Sequence, residues 1–297
     1  MEEFKSGFVS LLGKTNVGKS TLLNAMLGES IAITTARPQT TRKAIRGIVN
    51  RKKSQIIFID TPGIHKPKNK FGEFMIDTAY DAIDDVDVIL FLISATDKEI
   101  GHEEEKILKK LNEKNKKTIL VINKIDLVKK ERLLNLINLY KDAYSFSAVI
   151  PISALKQKET ETLLEEIEKL LPIGPVYYDQ DEYTDQTQRQ IVEEIVREKC
   201  LKLLQDEIPH GIYVKVEKMK FRKTRNNEKI YDIDLIIYCI RESHKGIIIG
   251  KNGSMLKKIG QYSRGKIEAV LGVKVNMKMW VKVQEDWQQK ENIIKNI

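Results

Sequence analysis

Lys19 and Ser20 close the octapeptide Gly13-Lys14-Thr15-Asn16-Val17-Gly18-Lys19-Ser20, which carries the spacing GxxxxGK(S/T). This combination suits a polyphosphate. Glycines let the loop curl until its backbone N–H groups face phosphate oxygens. The helix that opens at Lys19-Ser20-Thr21 adds partial positive charge at its N-terminus. Lys19 then bridges the outer phosphates, and the Ser20 hydroxyl ligates Mg²⁺. A second set follows in Asp60-Thr61-Pro62-Gly63-Ile64. Asp60 ends an apolar run and can hold Mg²⁺ through its shell, while Gly63 can bring its N–H close to a terminal phosphate. Between the two sets, residues 29–42 contain Thr40-Thr41. Thr41 is the expected ligand of Mg²⁺ and sensor of the γ-phosphate, with Thr40 as the fallback.

Asn123-Lys124-Ile125-Asp126 addresses a base. Guanine offers its N1–H and exocyclic amine side by side, and one carboxylate, Asp126, accepts from both. Adenine presents no such pair, so the site should reject it through unpaired polar groups. Asn123 is expected to tie the base loop to the phosphate loop, and the Lys124 stem to pack over the base. Ser153-Ala154 follows the next apolar run and would offer a backbone N–H to the guanine oxygen. GTP and GDP are therefore the expected ligands.

Far downstream, Gly250-Lys251-Asn252-Gly253 sits within GIIIGKNGSMLKKIG. Two glycines permit close approach of a nucleic-acid backbone, Lys251 supplies charge, and a helix starting at Ser254 points its N-terminus at the strand. Lys257 and Lys258 continue the basic face. Arg241 and Lys245 complete the expected RNA-contacting set; His244, beside them, is as well explained by solvent. Residues 211–284 carry 17 Lys or Arg against 6 Asp or Glu, whereas residues 176–210 carry 4 against 9. The net charge of +9 could belong to any lysine-rich solvated surface, but its concentration in the second half points to an anionic partner.

These groups need strand ends to hold them. Apolar runs rich in Val and Ile at 7–12, 55–59, 86–93, 118–122 and 149–152 read as strands buried on both faces of a parallel sheet. Helical periodicity at 19–27, 102–112, 131–140 and 161–170 alternates with them. That order predicts a doubly wound, mostly parallel α/β domain over residues 1–171. Residues 44–50 should pair antiparallel with 55–59. Residues 172–187, with two prolines, a glycine and an acidic run, read as a linker. Beyond it come a helix (188–204), a strand (212–219), a basic loop (220–229), a strand (231–241), a short helix, the glycine turn, a helix (254–271) and a strand (274–283). That is a smaller α+β domain over residues 188–297. Trp280, Cys200 and Cys239 are expected in its core, and Phe71, Phe74 and Tyr80 are expected to pack near Gly63. Two cysteines make no disulfide framework and fit a reducing compartment. His65, His102 and His210 are scattered and form no metal constellation. No apolar run approaches the roughly 18 residues of a membrane-crossing helix, and the N-terminus lacks the basic start of a signal peptide.

In this order and at these strand ends, the first motifs resemble a Ras-like GTPase domain. The GxxG turn between two helices, in a domain that begins with a helix, resembles a type II KH domain, which clamps about four nucleotides. GKTNVGKST, PQTTR, DTPGIHKPK, NKID, PISALK and IIIGKNGSMLKKIG, running over almost the whole chain, resemble the Era family of bacterial ribosome-assembly GTPases. Lys14-Thr15 departs from the Arg-Pro common in that family, which leaves fine loop geometry open. The resemblance implies binding near the 3′ end of small-subunit ribosomal RNA, a part in small-subunit maturation, and a cytoplasmic protein with some peripheral membrane association; a monomer is expected. It also implies slow intrinsic hydrolysis, because Ile64 stands where Ras has a water-orienting glutamine. Asn16 resembles an asparagine that some such GTPases use with K⁺. Lys19, Thr41, Gly63 and Asn16 are then the expected catalytic groups, and the nucleotide state is expected to reposition the RNA module. Two other readings compete. One is an NTPase or kinase acting on a small substrate, against which Asn123-Lys124-Ile125-Asp126 speaks. The other is a membrane-directed signalling GTPase with a basic lipid-binding domain, against which the GxxG turn speaks.

Overall fold

Val- and Ile-rich strands, the central ones buried on both faces, build the first of two units in the computed structural model, which describes residues 3–35, 40–205, 208–224 and 227–295. This unit comprises Met1–Lys68 and Gly72–Asp185. Its elements are β1 (Lys5–Leu12), α1 (Lys19–Leu27), β2 (Ile45–Asn50), β3 (Ser54–Asp60), α2 (Lys70–Asp81), β4 (Val88–Ser94), α3 (His102–Lys114), β5 (Lys117–Asn123), α4 (Lys130–Ala143), β6 (Ala148–Pro151) and α5 (Thr160–Leu170). The sheet order is β2-β3-β1-β4-β5-β6, with only β2 antiparallel to its neighbour. Every residue of β4 is buried. Val88, Leu90 and Leu92 enter the core shared with α1 and α5, while Ile89, Phe91 and Ile93 enter the one shared with α3 and α4. Alternation along a strand thus feeds two helical layers. The expected α/β architecture is present. Helix α2 was not foreseen as a helix; it carries Phe71, Phe74 and Tyr80.

Most of the segment read as a linker is fastened to the first unit. Gln55 Oε1 accepts from the backbone N–H groups of Tyr177 (2.7 Å) and Tyr178 (3.0 Å), and Ile48 N–H donates to Tyr183 O at 3.0 Å. Thr184 bridges Gly47 antiparallel, so the chain covers the open edge of β2.

The second unit comprises Asn69–Phe71 and Gln186–Ile297. Its elements run α6 (Gln188–Leu203), β7 (Tyr213–Lys223), β8 (Lys229–Cys239), α7 (Glu242–Ile249), α8 (Ser254–Leu271) and β9 (Lys274–Val283). Thr187 and Gln190 form a capping box that starts α6. Strand β8 is central, antiparallel to β7 and parallel to β9. One face of this sheet packs on the helices through residues such as Val196, Cys200, Leu235, Ile237, Ile259 and Ile267. Cys200 and Cys239 are buried as expected.

Two expectations need correction. The basic loop at 220–229 is partly strand: β7 runs to Lys223 and β8 starts at Lys229, and these two residues pair. Backbone pairing tolerates its exposed lysines. Trp280 is 47% exposed rather than core. Val275 and Val281 on β9 face the helices, so the pleat sends Trp280 to the open face. Among the described residues, no helix is long and apolar enough to cross a membrane.

Candidate functional site

The phosphate loop joins β1 to α1. Gly18 has φ +101°, and a Cβ there would collide with Asn123 Nδ2, so only glycine fits. No side chain caps α1, which leaves its first N–H groups for an anion. Lys19 is buried and donates to the carbonyls of Gly13 (3.0 Å) and Lys14 (3.1 Å). Burial pushes its ammonium down to about 8, against the pull of the Asp60 carboxylate.

Ser20, Thr41 and Asp60 converge. Ser20 Oγ donates to Asp60 Oδ2 at 2.7 Å, Thr41 Oγ1 donates to the same oxygen at 3.1 Å, and the two hydroxyls lie 2.9 Å apart. Asp60 Oδ1 is buried with no hydrogen-bond partner. Burial raises the Asp60 carboxyl, opposed by Lys19 and the two hydroxyls. An orphaned carboxylate oxygen beside two hydroxyls is a hard oxygen set that fits Mg²⁺. Both Thr40 and Thr41 line a cavity of about 380 Å³ together with Lys19 and Ser20, but only the Thr41 hydroxyl bonds Asp60 and Ser20. Thr15, Asn16, Thr21, Gly63 and Lys124 also line that cavity. So do Ile33, Thr34 and Thr35, which no sequence pattern marks.

Other expected residues play supporting parts. The Thr61 hydroxyl donates to Leu11 O at 2.7 Å and pins β3 to β1. Val17 and Pro62 are buried. Ile64 is 3% exposed and packs in the core of Leu12, Ile89 and Phe91, so its side chain cannot orient water. The Lys14 ammonium turns to Asp97 (3.0 Å) and Glu104 (2.8 Å). Burial opposes its charge, but Glu104 and Asp97 hold its pKa above the ordinary lysine value.

At the base end, Asn123 is 3% exposed. Its Nδ2 donates to Val17 O at 2.8 Å, and its Oδ1 accepts from Lys124 N (2.8 Å) and Ala154 N (2.9 Å). Lys124 Nζ donates to Asn16 O at 2.6 Å. Ser153 Oγ donates to Asp126 Oδ1 at 2.6 Å and holds that carboxyl below its ordinary range. The N–H expected for the guanine oxygen is otherwise engaged here. Ser153 N–H bonds Lys158 O at 3.2 Å, and Ala154 N–H serves Asn123.

The glycine turn of the second unit links α7 to α8. Gly250 (φ +73°) and Gly253 (φ +76°) both have positive φ, Gly253 in the left-handed conformation, and a Cβ on Gly250 would lie 2.8 Å from Met255 N. No side chain caps α8. Arg241, Lys251, Asn252, Lys257 and Lys258 are exposed, while Lys245 is half-buried and lies 3.5 Å from Glu242. Among the described residues, no group of His, Cys, Asp or Glu side chains could by itself hold a metal.

Residues 8–124 match a family described as 50S ribosome-binding GTPase, and residues 207–288 match the KH domain. The chain is 51% identical to GTPase Era of Caldanaerobacter subterraneus subsp. tengcongensis, over 99% of this chain and 97% of the relative. It is 49% identical to GTPase Era of Clostridioides difficile, over 99% and 98%. A crystal structure of Era in complex with MgGDPNP and nucleotides 1506–1542 of 16S ribosomal RNA superposes with a TM-score of 0.93 at 38% identity, covering 98% of each chain. A point variant of Aquifex aeolicus Era bound to GDP·AlF4⁻ gives 0.92 at the same identity and coverage.

Asn123→Ala should leave Val17 O and Ala154 N unpaired in a buried site. The expected loss is about 2–4 kcal/mol in urea unfolding. GDP affinity should fall with it, measured by titration at a temperature where the variant is folded.

Proposed function

Since this chain belongs to the Era family of GTPases, we propose that it is a GTP-hydrolysing switch that engages small-subunit ribosomal RNA near its 3′ end and assists assembly of the small ribosomal subunit. The observation that carries this reading is the pairing of two ends of one site. Ser20, Thr41 and Asp60 meet within 3.1 Å at one end, and Ser153 sets the Asp126 carboxylate at the other.

In this reading Asp126 accepts from the guanine N1–H and amine, and Lys124 packs its stem over the base. The curled amides of residues 13–18 take the phosphates, and Lys19 exchanges the Gly13 and Lys14 carbonyls for phosphate oxygens. Ser20, Thr41 and Asp60 would hold Mg²⁺, which supplies charge neutralisation on those oxygens. Thr41 and Gly63 report the γ-phosphate. Because Ile64 is in the core, hydrolysis is slow, and Asn16 is the residue that would hold a K⁺, which would supply positive charge to the reacting phosphates.

Residues 1–171 carry the nucleotide chemistry, 188–297 the RNA contacts and 172–187 the connection. Arg241, Lys245, Gly250 to Gly253, Lys257 and Lys258 form the RNA surface. The nucleotide state sets RNA affinity. We extend the reading to a cytoplasmic monomer with peripheral membrane contact; the basic surplus of residues 211–284 supports an anionic surface as a second partner.

Two measurements test this. RNA crosslinking in cells should show one dominant small-subunit site for the wild type, lost in Gly253→Asp while GDP binding is retained. An unchanged crosslink would refute the RNA assignment. Single-turnover GTP hydrolysis should be faster in K⁺ than in Na⁺ buffer; equal rates would remove the role given to Asn16.

A further inference from the structure

Lys14 belongs to the phosphate loop, yet its ammonium points at two carboxylates of the neighbouring β4–α3 region. Asp97 Oδ2 is 3.0 Å away and Glu104 Oε1 is 2.8 Å away. Glu104, in the first turn of α3, is 1% exposed, and neither of its oxygens has a geometrically sound hydrogen bond. A carboxylate buried in this way is tolerable only beside a well-placed cation. The pairing therefore ties a partly exposed lysine to a buried carboxylate of α3.

The backbone of Lys14 is equally engaged. Its carbonyl accepts from Lys19 Nζ at 3.1 Å. The residue forms a parallel bridge with Ile64, and Ile64 N–H donates to Gly13 O at 3.1 Å. Gly63 rests on the next residue of the loop: a Cβ on Gly63 would fall 2.7 Å from Thr15 Cα. Residues 13–15 thus form the wall against which Gly63 and Ile64 are registered, and the Lys14 side chain pins that wall to the loop after β4 and to α3.

We propose that Lys14, held by Asp97 and Glu104, is a positioning residue for hydrolysis. It sets where Gly63 stands at the γ-phosphate end of the site without touching the nucleotide. The inference rests on the nucleotide-site reading, but the two can fail separately. GDP has no γ-phosphate, so GDP affinity reports the site, whereas turnover reports the Lys14 cluster.

Lys14→Met alone would strand the buried Glu104 charge and could unfold the protein. The test therefore uses the double variant K14M/E104Q, which removes both charges. Its GDP affinity should stay within about threefold of wild type, while single-turnover hydrolysis falls at least about tenfold, with kcat changing more than KM. K14R, whose guanidinium reaches both carboxylates, should recover at least half of the lost rate. Wild-type turnover in K14M/E104Q would overturn the proposal. So would a loss of GDP affinity as large as the loss of turnover, because that is the signature of a merely structural contact. Should K14M/E104Q not fold, D97N keeps the buried pair and loosens the tether. Reduced turnover with unchanged GDP affinity supports the proposal, and unchanged turnover overturns it.

Discussion

One buried amide, that of Asn123, sets the span between the glycine loop at residues 13–18 and the loop that carries Asp126. Asn123 ends β5, and its three hydrogen bonds reach Val17 in the phosphate loop, Lys124 beside it and Ala154 after β6. Lys124 adds a second strut to Asn16. The parallel sheet makes this possible. β1, β3, β5 and β6 all release their chains at the same edge, so residues more than a hundred positions apart arrive together. These bonds hold the loop of Asp126, the proposed base-selecting residue, at a fixed distance from Lys19 and Ser20.

The chain uses a left-handed glycine ahead of an uncapped helix twice. Gly18 precedes α1, and Gly253 precedes α8. Both leave the first backbone N–H groups of a helix without a side-chain cap, the arrangement that suits an anion, and neither glycine carries a side chain that would block approach. The surroundings differ. Around Gly18, Lys19, Ser20 and Asp60 are buried, which gives strong and geometrically strict contacts. Around Gly253 the lysines are exposed, so the proposed RNA contacts are screened by salt and follow the backbone more than the base.

Much of this was legible in the sequence. Glycine and charged residues at strand ends have few alternative uses, and Val-Ile runs have only one sensible place in a parallel sheet. Some features were not. Residues 172–185 look like a linker because they bond through backbone groups, which composition does not reveal. The arms of the β7–β8 hairpin look like a loop because their lysines face solvent while the ladder continues underneath. The approach of Lys14 to Asp97 and Glu104 depends on how α3 packs, which no local pattern encodes. Trp280 failed for a simpler reason: alternation predicted two faces for β9 but not which one the helices cover.

Base selection by Asp126 is the claim on which the whole account stands. Its most direct measurement is displacement of labelled GDP by GTP, ATP and a xanthosine nucleotide, for wild type and Asp126→Asn. Wild type should exclude ATP by at least about a thousandfold. The amide, which donates where the carboxylate accepts, should transfer the preference from guanine to xanthine. Comparable affinity of wild type for ATP and GTP, or an undiminished guanine preference in Asp126→Asn, would contradict this claim.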